Sequence, residues 1–169
     1  MKHPSVWICL LFIAVSQVCV SMNLSASEDL QGLFRNNEQW ILEQTTRTPT
    51  FFKDLANAQR PGYFWLGCSD SRVPSNDIVG LTAGDLFVHR NIANMFVHTD
   101  LSALSVLEYA VVKLEIPHII VCGHTECGGV KAAMSSNSIE LIDNWILNIR
   151  DVYVAHQQEL DKITDLTAR

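Results

Sequence analysis

The stretch that decides the fold reads Tyr-Phe-Trp-Leu-Gly-Cys-Ser-Asp-Ser-Arg-Val-Pro at residues 63–74. It opens with a mostly apolar run, which is typical of a strand buried on both faces of a parallel sheet. A second such run, His-Ile-Ile-Val-Cys at residues 118–122, leads into His-Thr-Glu-Cys-Gly-Gly at residues 124–129. The sequence therefore predicts two buried parallel strands, each followed by a loop that carries Cys, His or Asp.

These two loops contain a set of metal ligands. The loops that leave the carboxyl ends of neighbouring parallel strands meet at one crevice, so Cys68, His124 and Cys127 are expected to converge there. Two thiolates and one imidazole suit zinc, and three protein ligands leave a fourth position for water. A closed structural site would need a fourth side chain, but Cys122 lies within the strand and alternation does not aim it at the same point. An open, catalytic zinc site is therefore predicted, with three unrelated buried residues as the alternative.

Asp70 and Arg72 alternate with Cys68 along the first loop. A carboxylate beside zinc-bound water can accept its hydrogen bond or its proton, and a neighbouring arginine keeps that carboxylate ionised. We predict this role for the pair; a salt bridge that only stabilises the loop is the alternative.

Composition limits the class of protein. The 169 residues, 48% of them hydrophobic, are enough for one domain with a real core. The formal charge of −6 argues against a general nucleic-acid binder, which would present a basic face. Beyond residue 27 the chain has three cysteines, and an odd number does not suit a disulfide framework.

Residues 1–27 have the layout of a secretory leader. Lys2 precedes a ten-residue apolar run at residues 6–15, and small residues follow. We expect export to a secreted or periplasmic location, with no membrane attachment of the mature form. An uncleaved anchor, an organelle-targeting leader and translated upstream sequence in a cytoplasmic protein remain alternatives. Residues 28–169 are then the catalytic domain.

Alternating helix and strand patterns predict an α/β fold, a parallel β-sheet flanked by helices. Thr99 or Asp100 can cap one of the helices. An exposed aromatic stripe near the start, formed by Phe34, Trp40, Phe51 and Phe52, is expected to pack on a partner subunit. Helices are predicted over residues 28–46 (capped by Ser27), 51–58, 101–114, 128–134 and 139–158, with a turn or short helix over 76–80, and strands over 63–67, 86–89 and 118–122.

Residues 68–74, 84–94 and 124–129, taken together and in this order, resemble the motifs of the β-class carbonic anhydrases. The resemblance implies reversible hydration of carbon dioxide to bicarbonate and a proton by zinc-bound hydroxide. It also implies Zn²⁺ held by Cys68, His124 and Cys127, and the Asp70–Arg72 pair as gate and orienter of that hydroxide.

The same resemblance implies further sites. Gln59 matches a substrate-pocket glutamine, with Phe87, Ile92 and Tyr109 as apolar walls, although ordinary core is the alternative for two of them, Phe87 and Tyr109. The family implies a homodimer or a dimer of dimers. A second, inhibitory bicarbonate site of the bacterial-type subgroup is matched by Trp65, Gly67 and Arg90.

The family's domain continues with another parallel strand, an antiparallel edge strand and a helix, so the resemblance leads us to expect a domain incomplete at its C-terminus. Two other functions therefore stay open. One is a truncated, inactive fragment or partner-binding protein. The other is a related hydrolase of carbonyl sulfide or carbon disulfide, because attack on a linear heterocumulene is shared chemistry.

Overall fold

The sheet predicted from the two apolar runs is present in the computed structural model, which describes residues 30–135 and 140–163. The proposed leader and the proposed cap Ser27 lie outside the described residues. The chain divides into two units, residues 1–52 and 53–169. Within the described residues, no helix is both long enough and apolar enough to cross a membrane.

The first unit contains helix α1, Leu30–Arg47, and the start of helix α2, Phe51–Asn57. Both helices form where the sequence predicts them. The rings of Trp40, Phe51 and Phe52 pack edge to face on one another, with centroids 5.0–5.9 Å apart, whereas Phe34 is 63% exposed. The predicted aromatic stripe is thus largely a local cluster, which joins the two helices.

The second unit is built on a three-stranded parallel sheet, with β1 Tyr63–Cys68, β2 Leu86–Asn91 and β3 His118–Cys122. The order β2-β1-β3 puts β1 in the centre, where all its residues after the first are buried. The prediction of a second buried strand is wrong for β3, because it lies at an edge of the described sheet and none of its residues is buried. The predicted α/β class and parallel sheet are confirmed. Strand β2 continues two residues beyond its predicted end because its last residue still pairs with the last residue of β1.

One face of the sheet is covered by helix α4, Leu101–Glu108, and by the helical turn that follows it. Asp100, rather than Thr99, caps α4 by accepting hydrogen bonds from two backbone N–H groups of its first turn. The core on this face is centred on Phe64, Ala110 and Ile116. Burial of these apolar side chains fixes the helix against the sheet.

The single helix predicted over residues 101–114 is wrong in its last turn. Residues Tyr109–Lys113 form a π-helical turn, in which the N–H of Leu114 donates to the carbonyl of Tyr109 five residues earlier. The wider turn keeps Ala110 fully buried against the core. The spacing of the apolar residues does not distinguish an α-helical from a π-helical turn. A π-helical turn contains one more residue per hydrogen-bonded ring, and it keeps the apolar face of the helix.

The remaining helices are α3 Ser75–Ile78, α5 Gly128–Met134, α6 Leu141–Ala155 and α7 Gln157–Leu160. The helix predicted over residues 139–158 is interrupted at His156, whose backbone leaves the helical region, while residue 139 lies outside the described residues. Arg150 of α6 donates to the carbonyls of Ala133 and Ser135 at the end of α5. This cation satisfies carbonyls that a helix end leaves without intrahelical partners.

The first two residues of α5, Gly128 and Gly129, differ in how closely they pack on neighbouring residues. A Cβ at Gly129 would lie 2.8 Å from Ile92 Cγ2 and 3.1 Å from Ala93 Cβ, whereas a Cβ at Gly128 would meet nothing within 4 Å. We predict that Gly129→Ala lowers the free energy of unfolding by ~1–3 kcal/mol through overpacking. The control, Gly128→Ala, should be neutral or stabilise by up to ~1 kcal/mol. Urea denaturation measures both; equal effects would mean that α5 does not pack closely on residues 92–93.

Candidate metal centre

The ends of β1 and β3 bring the predicted ligands together. One ligand atom each from Cys68, His124 and Cys127 lies within 4.8 Å of the others. The two cysteines are 5% and 6% exposed, and their sulfur atoms are 3.9 Å apart. The last residue of β1 and two residues of the loop between β3 and α5 thus form one group, with both cysteines buried and His124 partly buried.

The spacing of the sulfur atoms fits a shared metal ion. Two sulfurs bound to one tetrahedral zinc at about 2.3 Å lie about 3.8 Å apart, whereas a disulfide bond is about 2.0 Å long. The cysteines of the described chain are free thiols. Cys122, the other described cysteine, is outside the group, and its sulfur contacts the carbonyl of Gly123.

The imidazole of His124 is oriented for metal binding. A carbonyl oxygen can only accept, so Nδ1, which lies 2.8 Å from the Thr125 carbonyl, carries the proton in the neutral ring. Nε2 then presents a lone pair, and it is buried without a hydrogen-bond partner among the described residues. A buried polar atom without a partner is costly, and a metal ion at this point would satisfy it.

The ligands influence each other's pKa values. Burial alone would raise the pKa of Cys68, but the Asp70 backbone, the nearby His124 ring and the Ala93 backbone outweigh it and lower that pKa. The nearby Cys68 sulfur raises the pKa of His124 by stabilising the protonated ring, against the opposing effect of burial. The surroundings thus make the Cys68 thiol easier to deprotonate than a free thiol, which is the form in which a cysteine binds a metal.

Asp70 and Arg72 form a two-point ion pair beside this group. Arg72 donates from Nε to Oδ1 at 2.9 Å and from Nη2 to Oδ2 at 2.6 Å, and its backbone N–H also donates to Oδ1. The Arg72 side chain, followed by its backbone N–H, holds the pKa of Asp70 well below its usual range. Asp70 Oδ2 lies 3.8 Å from His124 Nε2. An ionised carboxylate oxygen therefore faces the ligand group.

Arg72 also connects the two ligand loops. Its Nη2 donates to the carbonyl of Glu126 at 3.2 Å, and Glu126 has a left-handed backbone with φ of 58°. The Glu126 side chain forms an ion pair with Lys131 of α5. The bond from Arg72 to the Glu126 carbonyl was not predicted from the sequence. A side chain that bonds to a backbone carbonyl far along the chain produces no periodic pattern in the sequence.

Comparison with known proteins gives the family. Residues 63–169 match the family model described as carbonic anhydrase. The chain belongs to the β-class carbonic anhydrases. A carbonic anhydrase of Emericella nidulans is 50% identical over 133 residues, which cover 79% of this chain and 58% of that protein. The chain thus spans less than two thirds of the length of this curated relative.

Two solved structures show the same fold. One of two tetrameric β-carbonic anhydrases from Sordaria macrospora is 42% identical with a TM-score of 0.79, covering 82% of this chain and 71% of that one. The β-carbonic anhydrase CafA of Aspergillus fumigatus is 38% identical with a TM-score of 0.78, covering 81% and 66%. β-Carbonic anhydrases use zinc, and the Cys68, His124 and Cys127 group fits it.

The residues that the resemblance assigns to a substrate pocket lie at different places in the second unit. Phe87 stacks on Tyr109 with centroids 5.9 Å apart and packs on the core around Phe64. Ile92 lies against the start of α5, close to the ligand loop. Gln59 is exposed in the connection between α2 and β1, and among the described residues no hydrogen bond joins it to the metal group. The pocket roles of these residues stay predictions.

A groove of about 700 Å³ opens beside the end of β2. Arg90, Ile92 and Trp145 are among its lining residues, but none of the three metal ligands is. Trp145 donates from Nε1 to the Ile92 carbonyl at 2.8 Å and so links α6 to this part of the sheet. The groove is therefore a neighbour of the metal centre and not the centre itself.

The predicted regulatory residues lie close together on β1 and β2. Trp65 is 4% exposed, and its Nε1 has no hydrogen-bond partner among the described residues. A Cβ at Gly67 would lie 2.5 Å from that nitrogen, so only glycine leaves room for the indole. Arg90 pairs with Gly67 across the ladder and donates to the carbonyls of Cys68 and Asp70.

Asn91 is a second residue that sequence reasoning missed. Its side chain both donates to the Met95 carbonyl and accepts from the Met95 N–H, at 2.7 Å each. These bonds close a turn in which Ala93 has φ of 62° and packs buried between Cys68 and Cys127. An Asn at a strand end was a usable signal, since its side chain commonly closes such turns.

The ligand set can be tested by removing one side chain at a time. We predict that Cys68→Ser, Cys127→Ser and His124→Ala each abolish stoichiometric zinc binding, because three ligands are the minimum for this site. The control, Cys122→Ser, should keep full zinc because its sulfur lies outside the group. Metal content measured by plasma mass spectrometry on dialysed protein decides the point. Equal zinc loss in the control would contradict the assignment.

Proposed function

We propose that this chain catalyses the reversible hydration of carbon dioxide, in which carbon dioxide and water give bicarbonate and a proton. The observation that carries the proposal is the buried Cys68, His124 and Cys127 group with Asp70 facing it. Zinc held by three such ligands lowers the pKa of bound water to about 7 and so supplies hydroxide at neutral pH. Family membership supports the same reaction.

The protein's own groups have separate tasks in this reaction. The Asp70 carboxylate, kept ionised by Arg72, accepts a hydrogen bond from the attacking water and so orients it. Arg72 holds that carboxylate at two points and ties it to the loop of the other ligands through the Glu126 carbonyl. Carbon dioxide is apolar, and we propose Ile92, Phe87 and Tyr109 as its apolar surroundings and Gln59 as its polar contact.

Two other functions stay open and are separated by substrate. A hydrolase of carbonyl sulfide or carbon disulfide would release hydrogen sulfide, and competition between these substrates and carbon dioxide would identify it. A truncated, inactive fragment or partner-binding protein would be a metal-free, aggregating monomer, and zinc content and mass in solution would identify it. Stopped-flow hydration, the substrate competition assay and zinc content together distinguish all three.

We propose a homodimer or a dimer of dimers. The relatives from Sordaria macrospora are tetrameric, and a dimer of dimers is one form of tetramer. Helix α1 supports self-association, since no residue of it is buried and Phe34 and Leu30 are largely exposed. Native mass spectrometry gives the subunit number; a monomer at micromolar concentration would contradict the proposal.

The bacterial-type subgroup remains a proposal that rests on Trp65, Gly67 and Arg90 as a second bicarbonate site. The buried Trp65 Nε1 without a partner among the described residues supports it, because a bound anion could accept its hydrogen bond. Inhibition of hydration by added bicarbonate at constant ionic strength would favour this assignment. If bicarbonate inhibits Trp65→Phe as strongly as it inhibits the unchanged protein, the inhibition is simple product inhibition and the second site is contradicted.

We also propose that residues 1–27 direct export to a secreted or periplasmic location and that residues 28–169 are the working domain. The support is the sequence pattern of Lys2 followed by an apolar run. Intact mass of the natural protein, with fractionation of its source cells, tests cleavage and compartment together. Full-length protein in the cytoplasm or an organelle would overturn it.

Asp70 offers a direct test of the mechanism. We predict that Asp70→Asn lowers kcat/KM for hydration at least about tenfold while zinc content stays complete, because a neutral amide orients the attacking water poorly. The control, Asp77→Asn, changes an exposed carboxylate on α3 and should leave the rate unchanged. Stopped-flow assays and metal analysis are made on the same samples; zinc loss in Asp70→Asn would mean that Asp70 is needed for metal binding.

Gln59 is tested separately because no described hydrogen bond joins it to the metal group. If it positions substrate, Gln59→Ala should reduce kcat/KM by roughly two- to tenfold, as expected for one lost hydrogen bond. Gln158→Ala, on the exposed helix α7, is the matched control. A rate equal to that of the unchanged protein would remove Gln59 from the pocket.

A further inference from the structure

The loop that carries Cys68 and Asp70 leaves the sheet almost at once. The N–H of Ser69 donates to the Asn91 carbonyl at 2.9 Å, and this is where the β1–β2 ladder ends. Beyond Ser69 the backbone has no strand to pair with, although it must hold Asp70 in place. Other contacts therefore have to fix this part of the loop.

Arg90 supplies those contacts. Its Nε donates to the Cys68 carbonyl at 2.7 Å, and its Nη2 donates to the Asp70 carbonyl at 2.6 Å. The two acceptors flank Ser69, so one planar guanidinium spans the point where the ladder stops. Charge-assisted bonds of this length are among the stronger ones in proteins, and a rigid fork fixes two acceptors together.

These bonds act on the metal ligand through the backbone. Arg90 Nε holds the carbonyl of Cys68, the residue that supplies the sulfur. Its Nη2 holds the carbonyl of Asp70, the residue that supplies the carboxylate. Both main-chain groups are thus fixed by one guanidinium, and the Asp70 side chain is aimed by Arg72 from this fixed backbone.

We propose that Arg90 is a positioning residue of the metal centre, which fixes the Cys68–Asp70 backbone so that the sulfur and the carboxylate keep their places. Its hydrogen bonds described above go to backbone carbonyls and not to the ligand atoms. The role deepens the proposed function but concerns metal retention, which can be measured without any turnover. It is distinct from the proposed anion-binding role, because the bonds to the loop use Nε and Nη2 and a guanidinium has further N–H donors that could meet bicarbonate.

The test measures zinc loss to an excess of the chelator pyridylazoresorcinol, followed by absorbance at fixed pH. Arg90→Gln removes the charge and the fork and should speed zinc release by about 10–100-fold, the usual size of effect for groups that orient metal ligands. Arg90→Lys keeps the charge without the two-point fork and should release zinc at an intermediate rate. Arg60→Gln, at an exposed position, is the charge-matched control and should release zinc at the unchanged rate.

Several results would overturn the proposal. If Arg90→Gln or Arg90→Lys releases zinc at the rate of the unchanged protein, the positioning role is wrong. If the variants lose only their inhibition by bicarbonate, Arg90 belongs to an anion site instead. Thermal unfolding of the zinc-loaded variants separates local from global effects: faster release with a melting temperature close to that of Arg60→Gln is expected. If Arg90→Gln does not fold, Arg90→Lys decides. If the unchanged protein binds zinc but does not hydrate carbon dioxide, the proposed function fails while the release assay still tests Arg90.

Discussion

The structure depends on one constraint, the parallel pairing of β3 with the central strand β1. Because Gly67 lies opposite Cys122 in this ladder, the two strands end at the same edge of the sheet. Cys68 closes the first strand, and the second runs directly into the loop of His124 and Cys127. A shift of one residue in this register would turn alternate side chains to the opposite face and separate the sulfur atoms. The burial of β1 on both faces is what makes such a shift costly.

Around this group the protein uses two arginines in different ways. Arg72 places its positive charge next to the Asp70 carboxylate and reaches across to the second loop. Arg90 lies behind the loop and holds main-chain carbonyls. The first therefore keeps the Asp70 carboxylate ionised, whereas the second holds the path of the backbone. Two thiolates and a carboxylate gathered in one place repel each other, so cations and backbone donors nearby are a physical requirement of such a site.

Much of this was predictable from the sequence, for identifiable reasons. The strands are short apolar runs bounded by turn residues, and the rule that parallel strands end at a common edge brings Cys68 and His124 together without any coordinates. The π-helical turn at Tyr109 and the break at His156 were not predictable, because apolar periodicity averages over several residues and does not report a single changed hydrogen bond. The contacts of Arg90 and the backbone of Glu126 were missed since they depend on where distant carbonyls lie after folding. Gln59 stays a prediction, as does the leader, which lies outside the described residues.

The central claim is that two sulfurs and one imidazole hold a metal that keeps one position for solvent. X-ray absorption at the zinc edge of the zinc-loaded protein in solution tests this most directly. The account predicts two sulfur neighbours at about 2.3 Å and two nitrogen or oxygen neighbours at about 2.0–2.1 Å, one of them exchangeable for an added anion. A third sulfur, a fourth protein ligand that no anion displaces, or a pair of sulfurs bonded to each other in place of the metal would contradict it.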